Sequence, residues 1–174
     1  MIRGEFAQLE RLIGRLHRMA TPTWHAGLSR AAAEAARERI AASFAKERDP
    51  WGKPWQKSLR AELESGQTLS DTGRLRRSFG YRVMPNGFVI GTNVLYAAVH
   101  QYGATIRAKR APYLKFRLAG GSGRRKSRRG QWISTKSVKI PARPFIPEPN
   151  LSPSWHAAID AAVRDYINAD QRSI

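Results

Sequence analysis

The chain has 174 residues, 31 lysines and arginines against 13 aspartates and glutamates, and a formal net charge of +18. Its length suits one compact domain, or one domain plus an extended arm, rather than two full domains. With no cysteine, disulfides, thiolate metal sites and cysteine nucleophiles are excluded. The charge draws the molecule toward polyanions, whether nucleic acid, a membrane surface or an acidic protein.

Apolar residues Phe6, Leu9, Leu12, Ile13, Leu16 and Met19 recur at spacings of three and four, which predicts an amphipathic helix over residues 6–19. Arg and Glu interrupt its apolar run, so neither a signal peptide nor a membrane span is expected. Thr21-Pro22-Thr23 breaks the pattern. Trp24, Leu28, Ala31, Ala35, Ile40 and Phe44 then predict a longer, Ala-rich helix ending near Lys46.

Asp49-Pro50-Trp51-Gly52-Lys53-Pro54-Trp55 reads as an ordered loop, because two prolines remove donors and the glycine permits a turn. Trp51 and Trp55 are expected to pin it against the domain or a neighbouring subunit. Ser65-Gly66-Gln67-Thr68 reads as a flexible link, and Asp71-Thr72-Gly73 as the start of a short helix through Leu75 and Phe79.

Residues 81–84 and 88–91 flank Pro85-Asn86-Gly87, which predicts a β-hairpin. A short helix over 95–102 places Leu95, Ala98, Val99 and Tyr102 on one side, and Gly103 stops it. Residues 113–118 alternate apolar and basic as a strand, and residues 132–140 return beside it, forming a second hairpin with a long cationic tip. Pro141, Pro144, Pro147 and Pro149 keep 140–150 extended. Ser152 caps a last helix with Pro153 at its first position and Trp155, Ile159, Ala162, Val163, Tyr166 and Ile167 as its buried stripe.

These elements predict an α+β fold, a mostly antiparallel sheet of about four strands packed against helices, with a long basic hairpin and a proline-rich extended arm. Residues 1–46 are N-terminal helices. Residues 47–174 form the body, with the basic hairpin tip at 118–131, and the whole is one structural domain.

No catalytic, cofactor or metal site is expected. His17, His25, His100 and His156 fall on separate elements without ligand spacing. There is no G-x-S-x-G turn, and Gly120-Gly121-Ser122-Gly123 lacks the P-loop spacing. Residues 72–147 hold no Asp or Glu and seventeen Lys and Arg. Within them Arg124, Arg125, Lys126, Arg128 and Arg129 have two readings, a solvated loop or a contact surface for phosphates or an acidic partner. Tyr113, Phe116 and Trp132 would stack on bases in the second reading and fill the core in the first.

The order of four motif segments resembles the phage virion morphogenesis family, the tail-completion proteins of Mu-like and P2-like bacteriophages. The segments are Phe44 with the tryptophan loop, then Leu69-Ser70-Asp71-Thr72-Gly73-Arg74-Leu75, then Ile90-Gly91-Thr92-Asn93 with Tyr96-Ala97 and His100-Gln101-Tyr102-Gly103, and last Ile140-Pro141-Ala142-Arg143-Pro144-Phe145. Together they span about residues 44–146; residues 120–130 match no motif of the family.

The resemblance implies a non-enzymatic virion component, assembled in the bacterial host cytoplasm. It would complete or terminate the tail tube and join it to the head as a homo-oligomeric ring, often of six, around the DNA channel. Its implied partners are the tail tube protein and head-side connector proteins, with contact to packaged DNA left open and no membrane or cofactor. On this view Trp51 and Trp55 brace the body, Tyr96, His100 and Tyr102 support a helix on the sheet, and Arg143 with Phe145 holds the return to the last helix. Each serves subunit contact or plain fold maintenance. The alternative from another class is a basic nucleic-acid-binding protein.

Overall fold

The computed structural model describes residues 3–63, 65–117 and 132–172. The basic tip, with Arg124, Arg125, Lys126, Arg128 and Arg129, lies outside the described residues. The elements in order are α1 (Arg3–Met19), α2 (Pro22–Lys46), α3 (Leu59–Leu63), α4 (Arg74–Arg77), β1 (Phe79–Met84), β2 (Gly87–Thr92), α5 (Ala97–Tyr102), β3 (Ala104–Arg107), β4 (Leu114–Arg117), β5 (Trp132–Thr135), β6 (Ser137–Ile140) and α6 (Pro153–Arg172). The fold is α+β. Among the described residues no helix is long and apolar enough to cross a membrane.

The chain divides into two compact units, one of Met1–Arg37, Gly80–Gly91 and His156–Ile174, the other of Glu38–Phe79 and Thr92–Trp155. In the first, Pro22 opens α2 and the Thr21 hydroxyl accepts the Trp24 N–H at 3.3 Å, which caps the helix one turn in. Tyr166 crosses α2 at Gly27, where a β-carbon would sit 2.0 Å from the phenol oxygen. The Tyr81 hydroxyl donates to Glu34 at 2.8 Å, and Arg37 pairs with the same carboxylate at 2.7 Å. Those two donors hold Glu34 below the usual carboxylate range. Pro85 and Asn86 link β1 to β2, and Gly87, at φ +144°, is already the first residue of β2.

The second unit carries the main core: Ile40, Phe44, Trp55, Ala61, Leu75, Phe79, Val94, Ala97, Phe145 and Trp155 are all buried. Phe44 and Phe145 are fully enclosed, each worth about 1.5–3 kcal/mol of apolar burial. Phe79, expected at the end of a helix, instead opens β1, because α4 closes after one turn at Ser78. The expected flexible link is anchored at one end: Thr68 is buried and its N–H donates to the Glu47 carboxylate. The helix α3 just before it was not expected from the sequence.

Among the described residues the expected four-stranded sheet is replaced by three two-stranded antiparallel ribbons, β1–β2, β3–β6 and β4–β5. The return over 132–140 breaks at Lys136. Its first half pairs with β4, Phe116 opposite Ile133, and its second half with β3, Ile106 opposite Val138. Residues 108–113, with Pro112, separate β3 from β4 while the facing strand spends only Lys136, so one long hairpin is bent into two. Side-chain alternation gives each ribbon an apolar face, Ala104, Ile106, Val138 and Ile140 in one and Leu114, Phe116 and Ile133 in the other. The opposite faces carry Arg107 and Lys139, and Lys115 with Trp132.

Candidate functional site

Four aromatic rings from four segments form the hub of the second unit. Phe44 of α2 stacks on Phe145 at 5.5 Å and meets Trp55 edge-on at 5.5 Å, and Phe79 meets Phe145 edge-on at 5.2 Å. Edge-on and offset pairs suit the ring quadrupoles, each adding about 0.5–1.5 kcal/mol beyond burial. The Trp55 indole N–H donates to the Pro144 carbonyl at 2.9 Å, so the ring is fixed at its polar end too.

Residues 141–149 form a strap with no regular ladder, because its prolines cannot donate. Its polar groups are met by side chains. Gln101 bonds the strap through both ends of its amide: the oxygen accepts the N–H groups of Phe145 and Ile146 at 3.0 and 3.2 Å, and the nitrogen donates to the Ile146 carbonyl at 2.7 Å. Arg143, 4 % exposed, donates its Nε to the Gln56 carbonyl at 2.8 Å and its backbone N–H to the His100 carbonyl at 2.6 Å. The Tyr102 hydroxyl donates to Glu148 at 2.6 Å, which raises the phenol pKa.

The predicted residues are therefore of three kinds. Trp55, His100, Arg143 and Phe145 are brought together around the strap. Tyr96 leans edge-on against His100 at 5.9 Å and is 43 % exposed, while Tyr102 is 63 % exposed and reaches the strap only through its hydroxyl. Trp51 is 51 % exposed and so does not pack into its own domain. The turn is held by Asp49, whose carboxylate accepts the N–H groups of Trp51 and Lys53 at 2.9 Å each.

A further expectation needs correction. The inward side of α5 is Ala97 and Gln101, with Val94 buried just ahead of the helix, whereas Leu95, also ahead of it, is 94 % exposed, Ala98 and Tyr102 face out and Val99 is half-buried. Sequence reasoning followed the larger apolar residues and passed over Gln101, although it stands inside a quoted motif. Ser152 is buried directly before α6, which opens at Pro153 as expected; its hydroxyl meets that of Ser154 and its carbonyl receives the Trp155 N–H. Tyr113 and Trp132 are also surface residues, 46 % and 67 % exposed, and Phe116 is half-buried.

A cleft of about 240 Å³ joins two motif segments, with Leu69 and Asp71–Leu75 on one wall and Tyr96 and His100 on the other. Burial, reinforced by the neighbouring Arg143 charge, lowers the His100 pKa, and burial alone lowers that of Arg143. A histidine titrating lower when folded than its ordinary 6.5 resists a proton that the unfolded chain accepts. Stability is therefore full above about pH 6.5 and falls as the pH drops from there through the lowered folded value. Urea titrations at pH 7.5, 6.0 and 5.0 will show this loss, and His100→Gln will flatten that component.

Residues 5–168 match the sequence model of the phage virion morphogenesis family. The chain is 30 % identical over 168 residues to Mu-like prophage FluMu G protein 2 of Haemophilus influenzae, with 96 % of each chain covered. No solved structure matches it.

Proposed function

Because the chain belongs to the phage virion morphogenesis family, we propose that it works at the head-to-tail junction, completing or terminating the tail tube as a ring of identical subunits, six as the family resemblance implies. Its partners are then the tail tube protein on one side and connector proteins on the other, and its role is architectural rather than enzymatic. One observation carries this reading: a hub, with strap, α5 and tryptophan loop bonded together, bears a bent ribbon that, among the described residues, is two strands wide with its outer edges unpaired. A ring subunit needs such a body and such a reach, because an isolated two-stranded hairpin is marginal in water and gains from a neighbour's surface.

Exposed Trp132 and Tyr113 beside Lys115, in a stretch free of acids, favour a second reading, nucleic-acid binding, in which bases stack on the rings and phosphates meet the cations. Size-exclusion chromatography with light scattering separates the two. Run alone and with tail tube protein, the assembly reading expects a closed oligomer or a complex that persists at raised salt. A monomer under every condition contradicts it. With duplex DNA added, the second reading expects binding that weakens steeply with salt and drops when Arg124, Arg125, Lys126, Arg128 and Arg129 become Ser.

A further inference from the structure

A second cleft of about 480 Å³ opens between the last turns of α2, the tryptophan loop and the first turn of α6, all within the second unit. Its walls carry Arg39, Lys46 and Arg48, and none of these is in an ion pair among the described residues. The one acid on the rim, Asp49, already accepts two loop N–H groups. Two of the three cations are held in place. Arg39 donates to the Ser154 hydroxyl at 2.9 Å and Arg48 to the Gly52 carbonyl at 2.9 Å.

The Arg39 Nε is sealed from solvent and has no acceptor among the described residues. The cost of that buried N–H is met inside the fold, while the terminal N–H groups of the same guanidinium, on the cleft wall, suit a carboxylate in geometry. Trp51 stands at the mouth, half exposed, on a loop whose backbone is bonded at both ends. A large ring on a fixed loop is costly to leave wet, and Trp beside Arg is the composition of a protein-binding anchor.

We infer that this cleft is a docking socket for an acidic peptide segment of another virion protein, with carboxylates set against Arg39, Lys46 and Arg48 and an apolar side chain laid on Trp51. Charge names the guest: every copy of this chain is strongly cationic, so a carboxylate-rich segment comes from a chemically different protein. Concavity argues against a duplex, whose phosphates line a convex cylinder that does not enter a cleft of this size. The inference rests on the head-to-tail reading only for the guest's being a virion protein.

The test uses the full chain and an acetylated peptide, Glu-Leu-Glu-Glu-Leu-Glu, followed by proton–nitrogen correlation spectra. The Trp51 indole and Arg39 Nε signals are expected to shift saturably. Trp51→Ala and Lys46→Glu, both at exposed side chains, are expected to weaken binding by about tenfold or more without changing the circular dichroism. The inference is overturned if the peptide moves only other signals, if both variants bind as the parent does, or if a twelve-base-pair duplex moves the same two signals as strongly. Light scattering of the same variants keeps the readings apart. A ring that forms with a silent cleft removes only the socket, and a responsive cleft on a permanent monomer removes only the ring.

Discussion

Phe145→Ala is expected to lower the unfolding free energy by about 3–5 kcal/mol. Phe145 touches Phe44 and Phe79 at ring distances of 5.5 and 5.2 Å and is 2 % exposed. Its removal therefore leaves a cavity that helix α2 and strand β1 cannot both close. The same residue seats the strap, since its N–H goes to Gln101. Urea unfolding followed by tryptophan fluorescence measures the change. Phe145→Leu should recover most of the loss, because the cavity rather than ring chemistry dominates. A midpoint shift no greater than that of a surface substitution would mean that the hub is not where stability resides.

Gly103→Ala is expected to cost about 2 kcal/mol or more, from two separate causes. Gly103 has φ +74° and ψ 162°, a region that L residues with a side chain rarely enter. Its added β-carbon would also lie 2.9 Å from the Ala142 nitrogen and 3.0 Å from the Ile140 carbonyl oxygen. Both are backbone atoms, one at the end of β6 and one in the strap, and cannot swing aside as a side-chain tip does. Gly80→Ala is the control, since a β-carbon there meets nothing within 4 Å, and it should change stability little. Equal melting temperatures for the two variants would show that the strap is not held tightly against the end of α5.

Much of this architecture was legible because it is written in local chemistry. The amphipathic spacing of Leu12, Leu16 and Met19, the Thr21-Pro22 break, the Asn86-Gly87 hairpin signal and Ser152-Pro153 at a helix entry all act within a few residues of themselves. What failed depended on distant partners. That β6 would pair with β3 is not visible in either strand, each only four residues long. The inward side of α5 was misread because Gln101 is buried only when the strap arrives with two N–H groups and a carbonyl to bind. Trp51 and Trp55 stand four residues apart in one loop, yet a hydrogen bond from Trp55 to Pro144, distant in sequence, separates a buried ring from an exposed one. Of the candidate site, Arg143 and Phe145 were found through the motif order, while the cleft beside Trp51 needed the fold to bring Arg39 and Ser154 together.

The most direct measurement is cryo-electron microscopy of intact virions carrying a tagged copy of this chain. The account predicts a closed ring of tag density at the head-proximal end of the tail, with subunits joined through the bent ribbon. Tag density spread along the tube, on the capsid faces, or missing from finished particles would contradict it.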